Sequence, residues 1–186
     1  MSFIQKFLGL DVDLDNIGIV YHDKNIVNFI GDMTPLNSLV FASTGTDSLH
    51  YCVVQKENTA LDESPVYLVA PPNFEDVVIW VAKDFVDFLS LGVAFECFAT
   101  IPCARSWGKE TLLKNIKENQ VYHIQHGYDE KIKKSINILR DNFPMREYTD
   151  PRAHIISTYD DINNHVDLKF GIPDIYKAKL GHYNRK

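Results

Sequence analysis

The residues of this 186-residue chain whose types could do chemistry are its seven histidines, three cysteines and twenty-five carboxylates, and their spacing decides what is open to them. His123-x-x-His126 could share one helix face. A zinc site would need a third ligand, and the neighbouring Asp129 and Glu130 complete no ligand pattern, so the pair reads as two surface histidines. Zinc-binding cysteines usually stand about two to four residues apart. Cys97 and Cys103 are six apart and Cys52 is remote, so no zinc cluster is expected. Cys97 lies between Phe95 and Phe98 in an apolar run, the setting of a buried, inert thiol, although a cysteine nucleophile with a distant histidine stays open. Asp11-x-Asp13-x-Asp15 echoes the start of a calcium loop. Asn16 stands where that loop needs glycine and His22 where it needs glutamate, so the segment reads as a solvated acidic connection. Among the remaining carboxylates, Glu75, Asp76, Asp84 and Asp87 could pair for acid–base work. The nine glycines spell neither a dinucleotide fingerprint nor a phosphate loop, and no Gly-x-Ser-x-Gly elbow is present. No cofactor, metal or catalytic set is therefore expected.

Charge is unevenly divided. Residues 1–104 hold 14 Asp/Glu and 4 Lys/Arg, a balance of −10, and residues 105–186 hold 11 and 15, a balance of +4, which together give the net −6. An acidic first half argues against direct nucleic-acid binding, which needs a basic face, and suits a basic protein partner. It would also serve solubility alone. Hydrophobic residues make up 45% and charged residues 24%, the balance of a globular protein. No apolar run is long enough for a membrane span. The N-terminus lacks the basic-then-apolar order of a secretory signal, and three cysteines make no disulfide framework, so a cytoplasmic setting is expected.

The elements that must position these residues follow from periodicity and breakers. Residues 2–10 suggest a short amphipathic helix. Ile17–Tyr21 and Ile26–Ile30 read as a hairpin. Leu39–Ala42 and Leu49–Val54 flank the polar turn Ser43–Ser48. Pro65 opens a strand through Ala70, and Val77–Val81 reads as another. Phe85, Phe88, Leu89 and Leu91 mark a helix ending at Gly92, the residue suited to a left-handed cap. Lys109–Asn119 and Asp129–Asn142 are helix-like, the second carrying Ile132, Ile136 and Leu139 on one face and stopped by Pro144. His154–Ser157 reads as a short strand, Val166–Phe170 as an edge strand and Pro173–Leu180 as a last helix. Strands first and helices later predict an α+β fold: one domain over 1–186, with a sheet-rich core at 1–104 and a helix-rich extension at 105–186. The sheet should be mostly antiparallel with helices packed on one side. Its core should hold Val40, Tyr51, Val53, Leu68, Trp80, Phe85, Phe88 and Leu89.

The most distinctive stretch is Phe41-Ala42-Ser43-Thr44-Gly45-Thr46-Asp47-Ser48-Leu49-His50-Tyr51-Cys52. It resembles the segment of the SUKH superfamily that reads roughly Phe-Ala-x-Thr-Gly-Gly-Asp-Gly-x-His-Phe. Pro65-Val66-Tyr67-Leu68-Val69-Ala70-Pro71, then Asn73-Phe74, then Phe85–Gly92 follow in the same order: a strand ending in proline, another strand and a Phe/Leu-rich helix. The resemblance covers about residues 36–95, a third of the chain. Thr46 and Ser48 replace glycines of that pattern, which requires a turn that is less strained or differently shaped. Residues 105–186 match nothing in it.

The resemblance implies a non-catalytic α+β domain. Bacterial members of the superfamily look like immunity proteins that bind and block a toxin, often a nuclease, and eukaryotic relatives resemble regulators of cell-wall synthesis. The expected function is thus a protein-binding module, an intracellular immunity protein for a basic, secreted toxin domain. The alternatives are a hydrolase-like enzyme using His50 with a carboxylate, or a regulatory scaffold. Candidate binding residues are Asp47 and His50 at the turn, Glu75, Asp76, Asp84 and Asp87 on an acidic face, and Trp107 as an anchor in a loop. The Thr44–Asp47 turn would equally be a plain hairpin loop with Gly45 at positive φ. Trp80, in an apolar strand, belongs to the core.

Overall fold

A computed structural model describes residues 2–21, 33–45, 48–55, 58–71, 77–160 and 168. Five strands form one sheet in sequence order: β1 Val20–Tyr21, β2 Ser38–Ser43, β3 His50–Val54, β4 Val66–Val69 and β5 Val78–Ala82. Every neighbouring pair is antiparallel. Six helices accompany it among the described residues: α1 Phe3–Leu8, α2 Phe85–Phe95, α3 Thr100–Ser106, α4 Lys109–Gln125, α5 Asp129–Asn142 and α6 Pro151–Asp160. The fold is α+β with an antiparallel sheet.

Strand alternation sorts the side chains into two layers. Phe41, Tyr51, Val53, Val66 and Leu68 face the main core, where α1, α2 and α5 add Phe7, Phe85, Phe88 and Leu139. Leu112, Ile132, Ile136 and Ile155 join the same cluster, so the helices after residue 104 share the core of the sheet. Val40, Cys52, Tyr67, Val69 and Trp80 face the other way. That second face is covered too, by Met33, Leu168 and Tyr159, whose ring centre lies 6.2 Å from that of Trp80. The helices supply the main-core face, and Tyr159 of α6 reaches round to the other. α6 packs on β5 and sends Ile155 into the main core and Tyr159 to the opposite face. All eight expected core residues are buried.

Several local expectations change. Asp15–Ile17 forms a 3-10 turn closed by Gly18 at φ 77°, leaving only Val20–Tyr21 as strand there. The partner run at 26–30, the edge strand around 166–170 and the last helix at 173–180 lie outside the described residues apart from Leu168. α4 continues to Gln125. His154–Ser157 is helical: Pro151 occupies a first-turn position, and Asp150 accepts the Ala153 amide at 3.0 Å as an N-cap would. Gly45 does take positive φ, 82°, and Ser48, at one of the replaced glycines, sits at φ 57°.

α2 does not end at Gly92. It runs to Phe95, and Glu96 takes the left-handed cap at φ 57°. Gly92 lies against Phe98, and a Cβ there would meet the ring carbon Cε1 at 2.2 Å. Phe98 is fully buried, with its ring centre 4.9 Å from that of Phe88, so withdrawal would disturb the core. Gly92→Ala should cost about 1–3 kcal/mol by overpacking, measured as a lower urea midpoint, despite alanine's better helix propensity.

Candidate functional site

The densest gathering of titratable side chains forms where α2 meets the segment after α5. Asp84 caps α2 through its carboxylate, which accepts the Asp87 amide at 2.7 Å. Asp87, one turn in, is completely buried. Its Oδ2 accepts the Lys83 amide at 3.1 Å. Its Oδ1 accepts the Tyr148 hydroxyl and, at 2.9 Å, His154 Nε2. The Tyr148 and His154 rings stack with centres 4.4 Å apart. Arg146 Nη1 sits 2.7 Å from Asp84 Oδ1 and 3.6 Å from Asp87 Oδ1. Ser90 completes the knot: its Oγ donates to Val86 O at 2.6 Å and accepts the Arg146 amide at 3.0 Å.

Such a buried carboxylate is tolerable because each lone pair it turns inward finds a donor. The arrangement ties residues 145–154 onto α2. Burial, then the hydrogen bond to Asp87, raises the Tyr148 hydroxyl well above the usual phenol range, so it stays a donor. With the carboxylate as acceptor, His154 Nε2 carries a proton. A histidine and a carboxylate thus do meet, but Asp87 is sealed from solvent and its contacts are internal.

The expected binding residues scatter. Asp87 belongs to no exposed acidic face, since its side chain is buried and accepts from the Lys83 amide, Tyr148 and His154, with Arg146 nearby. Asp84 is largely buried and occupied as a cap and as the Arg146 partner. His50 is not at a surface either: it is 1% exposed, with Nε2 3.0 Å from Thr34 Oγ1 and Nδ1 2.8 Å from Ser48 O. Both ring nitrogens are engaged, because β3 turns this residue inward beside the hairpin. Trp107 is half-buried against the main core, and its carbonyl accepts from Arg152 Nε and Nη2 at 3.2 and 3.0 Å. Asp47, Glu75 and Asp76 lie outside the described residues. Ser90, Arg146, Tyr148 and His154 escaped the sequence reading because their partners are 55–67 residues away. The Asp84-x-x-Asp87 spacing, the pattern of a capping pair, was the available signal.

Beside the knot opens a cavity of about 450 Å³, lined by Phe3, the Asp62–Glu63 turn, the start of α2 and residues 144–146. Asp62 is fixed there by accepting the amides of Phe3 and Ile4 at 2.6 and 3.0 Å. Elsewhere, exposed apolar side chains run along α4 at Leu113, Val121 and Ile124. His126 stacks on Tyr122 with ring centres 4.0 Å apart. Among the described residues, no three His, Cys, Asp or Glu side chains come together as metal ligands. No single described helix is long and apolar enough to cross a membrane.

Of the cysteines, Cys97 and Cys103 are half-buried and Cys52 is fully buried. Burial pushes the Cys52 thiol from its ordinary 9.0 up to about 12, against a small opposing hydrogen bond from Ser38. Tyr51 shifts upward as well, chiefly by burial. Above their ordinary values of 9.0 and 10.0 the unfolded groups lose protons that the folded groups still hold. The stabilisation from Cys52 is therefore complete below pH 9 and is lost as pH rises from 9 to about 12, while that from Tyr51 starts to fall only above its ordinary 10.0. Stability by urea titration should be flat near pH 8 and then fall. Cys52→Ala should remove about one proton's share of the slope, up to about 1.4 kcal/mol per pH unit.

Comparison with protein-family models, curated proteins and solved structures gave no match.

Proposed function

We propose that this chain is a non-catalytic protein-binding module that neutralises a basic toxin inside the cell that makes it, in the manner of an immunity protein. One observation carries the reading: the histidine–carboxylate meeting at Asp87 is turned inward and spent on holding the fold. His50, the residue a hydrolase reading would use, is buried and engaged on both nitrogens. Outward in the first half stand the carboxylates Asp11, Asp13, Asp15 and Glu63, beside exposed Leu8, Leu36 and Lys83. An acidic surface attracts a basic one at long range and raises the encounter rate. The resemblance at residues 41–52 supplies the toxin; the charge supplies the sign of the partner. A cytoplasmic location belongs to the same reading.

A second reading, a regulatory scaffold without a toxin, is favoured by the exposed Leu113, Val121 and Ile124 of α4. The two part in one experiment. Tagged chain recovered from its source cells should carry a basic protein at one-to-one stoichiometry. That protein produced alone in a test host should arrest growth, and co-production of this chain should restore it. A partner that is harmless when produced alone would favour the scaffold, and recovery without any basic partner would contradict the immunity reading.

A further inference from the structure

We infer that the cavity between α1 and the start of α2 receives an arginine or lysine side chain of the basic partner and anchors that interface. The inference rests on the binding-module reading and names its site. At about 450 Å³ the cavity has room for a long cationic side chain. Phe3, Val86 and Met145 give it apolar walls for a methylene stem, the surface along which lysine and arginine stems commonly lie. Asp62, Glu63 and Asp84 line it against the single guanidinium of Arg146, a balance of −2, and because Asp84 is paired with Arg146 the charge left for a guest is that of Glu63 and of Asp62, which also accepts the Phe3 and Ile4 amides. Arg146 is itself committed, 2.7 Å from Asp84 and 3.6 Å from the buried Asp87, so its charge is offset from two sides. That balance disfavours a phosphate or carboxylate guest and favours a cation. Glu63 is exposed at the mouth and Phe3 is 36% exposed, so the entrance faces solvent. The same sign prevails over residues 1–104, whose balance is −10, so the charge that would steer a basic partner also marks the pocket that would hold it.

The probe is a blocked Ala-Leu-Arg-Leu-Ala pentapeptide titrated into labelled full-length protein, with the citrulline peptide as its neutral counterpart, read by amide chemical shifts. The arginine peptide should move the amides of Phe3, Glu63, Val86 and Met145 in a saturable way. Citrulline should weaken binding by about tenfold or more, the equivalent of 1.4 kcal/mol. Glu63→Gln should weaken it about three- to fivefold, the range of a solvent-exposed ion pair, and Glu63→Lys further. Glu63 is exposed, so both variants should keep the parent spectrum elsewhere. Equal binding of the citrulline peptide, shifts confined to other surfaces such as Asp11–Asp15, or no saturable shift would each overturn the site. A captured basic partner that binds Glu63→Lys as tightly as the parent would overturn this pocket and leave the binding-module reading standing. Failure to find any basic partner would remove that reading itself.

Discussion

Asp87→Ala should lower the unfolding free energy by about 3–5 kcal/mol, one of the largest losses expected from a single polar substitution in this chain. The reason is not the loss of one favourable ion pair. Removing the carboxylate strands the Tyr148 hydroxyl, the Lys83 amide and His154 Nε2, and leaves Arg146 with Asp84 alone. Asp87 is dry and Tyr148 and His154 are only partly exposed, so water replaces the lost acceptor incompletely, and a donor left unsatisfied costs more than a hydrogen bond contributes when both partners are present. Asp87→Asn, which keeps the shape and one acceptor, should cost less, about 1–3 kcal/mol, and Tyr148→Phe a similar amount. Urea titration of the three variants, with a double-mutant cycle between Asp87 and His154, would separate the shares. An Asp87→Ala protein as stable as the parent would mark Asp87 as a functional carboxylate held at some cost to the fold, and would reopen the enzymatic reading.

Phe88→Ala should cost a comparable amount, about 3–5 kcal/mol, by a different route. Phe88 is completely buried, with ring centres of Tyr51, Phe98 and Phe41 at 4.9, 4.9 and 5.4 Å. These rings come from β2, β3, α2 and the turn before α3, so the cavity left by truncation would lie where the sheet meets its helices and could not be closed by moving one side chain. Phe88→Leu refills part of the space and should cost under about 1.5 kcal/mol, provided the neighbouring rings repack. A lower thermal midpoint with unchanged far-ultraviolet dichroism at room temperature is the expected observation. Loss of near-ultraviolet aromatic signal in Phe88→Ala would show the packing loosened before the backbone order.

What the sequence made legible follows the range of the forces involved. α5 was readable at both ends because Ile132, Ile136 and Leu139 repeat at helical spacing and Pro144 stands just beyond. β4 was readable because Pro65 and Pro71 bracket an apolar run. α6 was misread from the β-branched pair Ile155–Ile156, although Asp150-Pro151 carries a helix-start signal that outweighs it locally. Gly92 was misread as a cap because its purpose is contact with Phe98, six residues on, and not backbone freedom. The site was harder. Nothing local in Asp87 or His50 separates a surface group from a buried one. Their burial depends on Tyr148, His154 and Arg146 for the first, and on Thr34 and Ser48 for the second. The departures from the glycine pattern at Thr46 and Ser48 bear on the turn itself, where Ser48 adopts a conformation that glycine would hold with less strain.

In the proposed function, negative charge on the first half brings a basic partner to this chain. That attraction is tested most directly by stopped-flow association with the captured partner at low and physiological salt. The comparison is between the parent and a variant in which Asp47, Glu63, Glu75 and Asp76 are replaced by their amides. Asp84 and Asp87 are left in place because the fold uses them. The variant should associate about tenfold more slowly at low salt, with a flatter salt dependence and an unchanged fold. Equal rates and equal salt slopes would contradict this, and would assign the acidic half to solubility and the contact to apolar surface such as that of α4.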